Sequence, residues 1–328
     1  RLGDTWREIT GDGFEISARV KMLDDVNTPV SVAKSMGQGV LGIADALDQL
    51  APDVLVILGD RFEALAAAQV ALVLGIPIAH IHGGEVTEGA MDDAFRHAIT
   101  KMAYLHFVAA HAYANRVIQM GTPADRVFIV GAPGLDDLLV RKSTSLQPVM
   151  DRFAFDLKPP YILATYHPAT ASQEDPLATM QAMLTALDAV QDHQIVLTFA
   201  NADQDGQKMN ELTKDFAALR PGRVLAVPSL GFDLYGAVLG QAAVVVGNSS
   251  SGIIEAPAFG IPTLNIGARQ TGRLMAESIQ TVPATQKGIA DGLVWALSKT
   301  GQDVAANATS LYGQGQATPK MLEVLRAA

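Results

Sequence analysis

Eight titratable side chains lie within eighteen residues of a chain that is otherwise rich in Ala, Val, Ile, Leu and Gly. They occupy HIHGGEVTEGAMDDAFRH and are His80, His82, Glu85, Glu88, Asp92, Asp93, Arg96 and His97. Carboxylates that crowd together raise one another's pKa values, and a carboxyl group with a raised pKa can act as a general acid. The segment therefore indicates acid–base chemistry, with a metal site as the competing interpretation.

The metal interpretation rests on His80 and His82, which would share one face of a strand because side chains alternate with period two. With Glu85 they offer ligands that zinc accepts. Buried imidazoles that hydrogen-bond the backbone explain the pair equally well, and the Gly83-Gly84 turn can carry Glu85 away from them. We therefore expect no metal and no other cofactor.

A helix is expected to begin near Met91, because apolar residues recur from there at helical spacing. Asp93, His97 and Lys101 follow one another at intervals of four residues and would share a polar face. A solvated ladder explains these three, and first-turn aspartates favour the helix dipole. A solvated ladder does not explain why four carboxylates lie close together in the sequence after the Gly-Gly turn, namely Glu85, Glu88, Asp92 and Asp93.

Short β-branched runs alternate with helical patterns along the whole chain. The predicted strands are 53–59, 76–83, 104–109, 126–131, 160–167, 193–200, 223–228, 243–248 and 261–267. Continuous apolar strands with helical connections predict parallel sheets covered by helices on both faces. We predict an α/β protein of two doubly wound, Rossmann-like domains with a cleft between them. Residues 1–145 would be the catalytic domain and residues 146–328 the nucleotide-binding domain, with the last helix packing back on the first domain.

Polar residues follow these strands at the edge where doubly wound sheets bind ligands. Asp60 and Arg61 follow the first strand, and Glu85 follows the second. His167 follows the fifth strand, and the turn NSSSG (248–252) follows the eighth. This placement makes Asp60 a catalytic candidate as well as a helix cap.

The segment GNSSSGIIEAPAFGIP is a strand end, a Ser/Gly turn and a helix start. Ser249, Ser250 and Ser251 offer three hydroxyls beside the amide groups of a helix N-terminus, which predicts an anion site. Capping requires one serine only. Glu255, one turn further on, is either a ligand of a ribose or an ordinary first-turn carboxylate.

The composition limits the classes of function. The 328 residues are 49% hydrophobic and 18% charged, which is typical of a chain with a large core. The absence of cysteine excludes disulfides and thiolate chemistry. A net charge of −10 without a basic stretch argues against nucleic-acid binding. A small phosphorylated ligand needs only a few placed arginines, such as Arg269 or Arg273. No apolar run is long enough to span a bilayer and no signal peptide is evident, so we expect a cytoplasmic protein.

Four segments together resemble the hydrolysing UDP-N-acetylglucosamine 2-epimerases. They are GDRFE, HIHGGEVTEGAMDDAFRHAITKMAYLHF, the His-Pro of TYHP, and GNSSSGIIEAPAFGIPTLNIGARQTGR. The resemblance implies a fold like that of GT-B glycosyltransferases and a homodimer. It also implies elimination of UDP to a glycal, addition of water, and release of N-acetylmannosamine for sialic acid synthesis.

The resemblance also implies roles for particular residues. The catalytic residues would be Asp60, Glu85, Asp92 and His167. The residues that bind UDP or the rest of the substrate would be Arg61, Asp93, His97, Ser249, Ser250, Ser251, Glu255 and Arg269. The family begins with a strand that ends in a Gly-Thr-Arg-Ala-Glu type motif, and this chain has no counterpart before Gly3. We expect that strand to be missing from this sequence, the alternative being impaired activity.

Four other functions stay open at this stage. The same chemistry on a UDP- or GDP-linked diacetamido sugar, as in legionaminic acid synthesis, is one. A non-hydrolysing 2-epimerase is another, although that group carries Glu-Ala-Gly-Leu-Arg where this chain has GGEVTEG. A glycosyltransferase of the same architecture and a non-catalytic nucleotide-sugar sensor are the others.

Overall fold

The computed structural model describes residues 6–23, 28–87, 91–168, 175–200 and 206–327. The chain forms two compact units, unit 1 (Arg1–Ile129) and unit 2 (Val130–Ala328). Each unit contains one parallel β-sheet with α-helices packed against it. Within the described ranges, no helix combines the length and the apolar character needed to cross a membrane.

Unit 1 has a four-stranded sheet in the order β1-β2-β3-β4. Its strands are β1 (Leu55–Leu58), β2 (Ile78–Ile81), β3 (Leu105–Val108) and β4 (Val127–Ile129). Its helices are α1 (Trp6–Gly11), α2 (Pro29–Leu50), α3 (Phe62–Leu74), α4 (Met91–Met102) and α5 (His111–Gln119). Apolar residues of α3 and α4, including Leu65 and Ile99, bury Ile78 of the sheet. The four described strands lie side by side in the order in which they occur in the chain.

Unit 2 has a six-stranded parallel sheet in the order β10-β9-β8-β5-β6-β7. Its strands are β5 (Tyr161–Thr165), β6 (Gln194–Thr198), β7 (Val224–Val227), β8 (Ala242–Gly247), β9 (Thr263–Ile266) and β10 (Ile279–Val282). The chain enters at β5, moves to one edge and returns to build the other side from β8. This is the doubly wound order, and the direction reverses between β5 and β8.

The helices of unit 2 cover both faces of its sheet. They are α6 (Gly134–Val140), α7 (Gln147–Phe153), α8 (Pro176–Asp188), α9 (Gly206–Ala218), α10 (Gly231–Gly240), α11 (Ser251–Ile254), α12 (Ala256–Phe259), α13 (Gln286–Leu297), α14 (Lys299–Asn307) and α15 (Ala317–Ala327). Ile162 and Ala164 of β5 pack in one core with α8 and α13, whereas Tyr161 and Leu163 pack in a second core with α6 and α10. Because both faces of β5 are buried, residues 161–164 are apolar at every position.

All nine predicted strands are present, and each end lies within two residues of its predicted position. The sequence analysis missed β10, whose residues IQTV alternate little and of which only Val282 is buried. The predicted helix near Met91 is confirmed as α4.

Helix α6 precedes the predicted domain boundary, and it packs in unit 2 against α10, α12 and α15. Asp136 of α6 accepts hydrogen bonds from the backbone N–H groups of Ala317 and Thr318, at 2.8 and 2.7 Å. The carboxylate thereby satisfies the first amides of the last helix. The division of function at residue 145 stays a prediction.

Candidate functional site

His80 is a structural histidine of unit 1. It is fully buried on β2, its Nε2–H donates to the carbonyl oxygen of Gly59 at 2.8 Å, and its Nδ1 accepts from the Thr100 hydroxyl at 3.2 Å. Burial lowers the pKa of His80 to about 4, so the ring is neutral near pH 7. Both ring nitrogens are thus used inside the fold, as the non-metal interpretation predicted.

His82 leaves the strand that carries His80. Strand β2 ends at Ile81, and His82 adopts φ +64°, a left-handed conformation that is uncommon for a residue other than glycine. The prediction that His80 and His82 share one face of a strand is therefore wrong. His82 donates from Nδ1 to Glu85 Oε1 at 2.6 Å, so the turn brings Glu85 to His82 instead of carrying it away. Among the described residues, no group of three His, Asp or Glu side chains is arranged to hold a metal ion.

The Gly83-Gly84 turn fits closely against its surroundings. Gly84 has φ +76°, and a Cβ there would lie 2.6 Å from the carbonyl oxygen of Tyr113. A Cβ on Gly83 would lie 3.0 Å from His80 Nδ1. Arg116 of α5 also donates a hydrogen bond to the Gly84 carbonyl oxygen. The two glycines therefore allow the chain to reach a position that delivers Glu85, which is 4% exposed, to this end of the sheet.

Arg96 of α4 gathers the polar groups of unit 1. Its side chain is 3% exposed, and it forms an ion pair with Asp60 and a second one with Asp93 at 3.3 Å. It also donates to the main-chain oxygen of Glu85 at 3.0 Å and to the Thr87 hydroxyl at 3.2 Å. The structure thus brings Asp60, Glu85 and Asp93 together around one guanidinium. The sequence analysis placed Arg96 in the charged segment and assigned it no role.

Asp93 and His97 interact as their spacing predicted, with His97 Nε2 3.5 Å from Asp93 Oδ2. Asp93 also accepts a hydrogen bond from the backbone N–H of Thr87 at 2.7 Å. Burial lowers the pKa of His97, and the Asp93 carboxylate opposes that shift. Lys101 instead donates to the carbonyl oxygen of Met120 at 2.9 Å, so the predicted three-membered ladder ends at His97.

Asp92 is a partly buried carboxylate in the first turn of α4. Burial raises the pKa of Asp92, the Arg61 guanidinium opposes the rise, and the Glu63 carboxylate adds to it. Arg61 in turn donates to Glu63 at 2.8 Å. The direction of this shift agrees with the predicted raised pKa, but its main cause is burial, and the carboxylate that adds to it is Glu63 and not one of the four in the charged segment. Glu88 lies outside the described residues.

His167 of unit 2 lies where the doubly wound sheet changes direction, between the carboxyl ends of β5 and β8. Its backbone N–H donates to Asn248 Oδ1 at 2.8 Å, and Asn248 Nδ2 donates back to the His167 carbonyl oxygen at 2.8 Å. Asn248 is 1% exposed, and its side chain continues the pairing of the two strands. Gly247 has φ +131°, and a Cβ there would lie 1.9 Å from the Thr165 carbonyl oxygen. This close approach of β8 to β5 fixes the main chain at His167.

The loop after β9 returns to the same turn. Arg269 donates to the main-chain oxygen of Asn248 at 2.9 Å, and the buried Gln270 donates to that oxygen at 2.8 Å. The structure therefore brings Arg269 beside the serine turn. It also places Arg269 next to Asn248, whose side chain hydrogen-bonds the main chain of His167. Asn248 was predicted only as part of the polar turn after β8, and Gln270 was not predicted, because their hydrogen bonds join segments that are distant in sequence.

The three serines after β8 do not play equal parts. Ser249 Oγ accepts from the backbone N–H of Ser251 at 3.3 Å, a bond within the turn, whereas Ser250 is the N-cap residue of α11 and its side chain makes no capping hydrogen bond. The Ser251 hydroxyl donates to the Glu255 carboxylate and contacts the hydroxyl of Tyr235. Burial raises the pKa of Glu255, and the Ser251 hydrogen bond opposes that rise. The predicted role of the three serines in binding UDP stays a prediction, but the Ser251 side chain is committed to Glu255.

Acidification is expected to destabilise the fold through two buried histidines, His80 and His106, which pair across β2 and β3. Burial lowers both pKa values from 6.5 to about 4, so between these values the unfolded chain binds more protons than the folded one. The stabilisation is complete above pH 6.5 and is lost as the pH falls towards 4. The loss is on the order of 3 kcal/mol for each histidine. Urea unfolding between pH 7 and about pH 4 measures this slope.

A matched pair of variants separates these histidines from general acid effects. His106→Gln is expected to flatten the dependence of the unfolding free energy on pH, whereas His111→Gln, at an exposed position of α5, should leave it unchanged. An unchanged slope in His106→Gln would contradict the assignment.

The match to a known family covers nearly the whole chain. Residues 1–326 match the family described as UDP-N-acetylglucosamine 2-epimerase. The chain is 36% identical over 280 residues to the Campylobacter jejuni GDP/UDP-N,N'-diacetylbacillosamine 2-epimerase (hydrolyzing), which covers 85% of this chain and 72% of that protein. It is 34% identical over 325 residues to the Legionella pneumophila UDP-N,N'-diacetylbacillosamine 2-epimerase (hydrolyzing), with coverage of 99% and 84%.

The fold agrees with the same family. The crystal structure of UDP-GlcNAc 2-epimerase from Neisseria meningitidis bound to UDP-GlcNAc matches with a TM-score of 0.78 and 18% identity, over 93% of this chain and 84% of that one. At this identity the likeness concerns the fold alone. The family match and the two curated relatives show that the chain belongs to the UDP-N-acetylglucosamine 2-epimerase family, among its hydrolysing members.

Proposed function

We propose that the protein is a hydrolysing 2-epimerase of a UDP-linked 2-acetamido sugar. In this reaction a base takes the C2 proton and later releases it to solvent, and the C2–H electron pair moves to the C1–C2 bond. The bond from C1 to the diphosphate oxygen breaks, and UDP leaves with the electron pair of that bond. A C1–C2 double bond forms and gives a glycal. Water then supplies a hydroxyl to C1 and a proton to C2 on the opposite face. The products are UDP and the free 2-epimeric sugar, so atoms balance with one water consumed.

The observation that carries the proposal is the cluster of carboxylates in unit 1. The C2 proton is weakly acidic, so its removal needs a base held close by in a site with little water. Asp60 and Glu85 are held around Arg96, and the pKa of Asp92 is raised by burial. A carboxylate of raised pKa is a stronger base when ionised. Because the new C2 proton arrives on the opposite face of the sugar, a second acid on that face has to supply it.

The groups of unit 2 suit the departing nucleotide. Arg269 offers a guanidinium for a diphosphate, and Ser249 and Ser250 lie at the turn after β8, where ligands of doubly wound sheets bind. A protonated His167 at the end of β5 would stabilise the negative charge that develops on the leaving oxygen. This division gives proton transfer to the residues of unit 1 and UDP binding to those of unit 2.

The two curated relatives favour a diacetamido sugar. Both are hydrolysing enzymes named for N,N'-diacetylbacillosamine, at 36% and 34% identity, whereas the Neisseria meningitidis UDP-N-acetylglucosamine 2-epimerase is 30% identical over 297 residues. We therefore propose UDP-N,N'-diacetylbacillosamine as the preferred substrate. UDP-N-acetylglucosamine, which the sequence analysis favoured, is the second candidate and would give N-acetylmannosamine.

A product assay tests the proposal. The protein is incubated with UDP-N,N'-diacetylbacillosamine, its GDP-linked counterpart and UDP-N-acetylglucosamine, and released nucleotide and free sugar are measured together. We expect equal amounts of UDP and free 2-epimeric sugar, fastest from the UDP-linked diacetamido sugar. Accumulation of an epimerised UDP-sugar would indicate a non-hydrolysing enzyme. Cleavage only after addition of an acceptor would indicate a glycosyltransferase, and tight UDP binding without turnover would indicate a sensor.

A further inference from the structure

A directed chain of hydrogen bonds links α10 to the carboxylate that follows α11. The Ser251 hydroxyl is bonded both to the Tyr235 hydroxyl and to Glu255 Oε2. An ionised carboxylate can only accept hydrogen bonds, so the single hydrogen of Ser251 goes to Glu255. Tyr235 must then donate to Ser251. The three side chains form one chain with a fixed sense, from Tyr235 through Ser251 to Glu255.

This chain constrains one oxygen of a partly buried carboxylate. Among the described residues, the hydrogen bonds of Glu255 involve Oε2 alone. Ser251 is the first residue of α11 and Glu255 the residue after its end, so the pair brackets the single turn that follows the serine-rich segment. The Oε1 atom is thus held in a defined orientation by groups on the other side of the same carboxylate.

We propose that Tyr235 is a positioning residue which, through Ser251, orients Glu255 to accept a hydrogen bond from the ribose of the bound nucleotide. This inference rests on the proposed function, because the nucleotide is the UDP of the substrate. A ribose presents two neighbouring hydroxyl donors, and a carboxylate is the acceptor that such donors find in nucleotide-binding α/β sheets. Glu255 lies one turn beyond the serines that would contact phosphate. In a nucleotide the ribose is the group next to the phosphates, so a phosphate at the serines would bring the ribose towards Glu255.

Such a chain makes the protein selective for ribose over deoxyribose. A carboxylate that is oriented before the ligand arrives gives up little freedom on binding, so the hydroxyl bond contributes its full strength. A ligand without the hydroxyl leaves Oε1 of this desolvated carboxylate without the hydrogen bond that the ribose would supply. Without the Tyr235 hydroxyl, Ser251 is free to turn to other acceptors, and Glu255 loses its orientation. The effect should therefore fall on the ribose hydroxyls and leave the diphosphate contacts unchanged.

Calorimetric binding of UDP and of 2'-deoxy-UDP tests this inference without reference to turnover. The wild-type protein is expected to bind UDP about 10- to 100-fold more tightly than 2'-deoxy-UDP, as for a hydrogen bond to a charged group. Tyr235→Phe should reduce this ratio at least about five-fold, mostly by weakening UDP, and Ser251→Ala should do the same.

Tyr161→Phe is the matched control. Its hydroxyl donates to the carbonyl oxygen of Val238 at 2.7 Å, so this variant also removes a tyrosine hydrogen bond to α10 but leaves Glu255 untouched. The ratio should stay at the wild-type value. Equal weakening of both ligands in Tyr235→Phe and Ser251→Ala, an unchanged ratio in both, or a wild-type protein that does not distinguish the two ligands would each overturn the inference alone. A wild-type protein that binds neither nucleotide would overturn the proposed function as well.

Discussion

Replacement of Asp92 by asparagine is expected to lower turnover by about 10²- to 10⁴-fold, the usual contribution of a positioned acid or base. Asparagine keeps the shape of the side chain and its place in the first turn of α4, but it cannot take up or release a proton. The carboxyl pKa is raised mainly by burial, which makes this carboxylate the strongest candidate for proton transfer at C2. The affinity for UDP should change little, because the proposed nucleotide contacts lie in unit 2.

The rate of UDP release and the calorimetric affinity for UDP measure the two parts of this prediction. Asp48→Asn makes the same change at an exposed position of α2 and should alter neither quantity. The wild-type kcat/KM should fall as the pH drops through the raised pKa of Asp92, because a base must be ionised, and this limb should vanish in the variant. A parallel loss of UDP affinity would assign Asp92 to nucleotide binding instead.

The elements of the fold could be predicted because burial on both faces leaves a direct record in the sequence. Tyr161, Ile162, Leu163 and Ala164 point alternately into two cores, and each position is apolar for that reason. The positional rule for doubly wound sheets then located His167 and the serine turn. Strand β10 was not predicted because it lies at an edge of the sheet, where few of its side chains are buried and the sequence is less constrained.

The arrangement within the site could be predicted less well, because it depends on backbone conformation and on contacts between distant segments. Nothing in the letters HIH indicates that His82 adopts a left-handed conformation, so period-two alternation was extended one residue too far. In the sequence, Ser251 is one of three serines with no feature that distinguishes it. Its separate role depends on Tyr235, which is distant in sequence and contacts it only in the folded chain.

The need of Arg96 for acidic partners could have been predicted from the sequence. It lies between Phe95 and Ile99, two positions of the apolar face of α4, and an arginine so close to a buried face needs acidic partners. That signal was present in the sequence. The identity of the partners was not, because Asp60 lies 36 residues away in the chain.

Replacement of Arg96 by methionine is expected to destabilise the protein by about 3–5 kcal/mol, as for the loss of one partner of a buried ion pair. Methionine fills most of the same volume but removes the guanidinium that donates to the carboxylates of Asp60 and Asp93 and to the carbonyl oxygen of Glu85. Arg96→Lys keeps the charge but cannot reproduce the planar fork that reaches all of these acceptors. The lysine variant should therefore be intermediate in stability and should still lose most turnover, because Asp60 and Glu85 are no longer held in place.

Urea unfolding of the wild type, Arg96→Lys, Arg96→Met and the double variant Arg96→Met with Asp60→Asn measures the stability and the coupling. The double variant should recover part of the lost stability, since removal of the Asp60 charge relieves one uncompensated carboxylate. Arg152→Met, at an exposed position of α7, makes the same substitution and should change the free energy of unfolding by less than about 0.5 kcal/mol. If Arg96→Met were as stable as the wild type, or if the two substitutions were simply additive, Arg96 would not be the group that holds Asp60. If Arg96→Lys kept full turnover, the fork of the guanidinium would have no part in arranging the carboxylates.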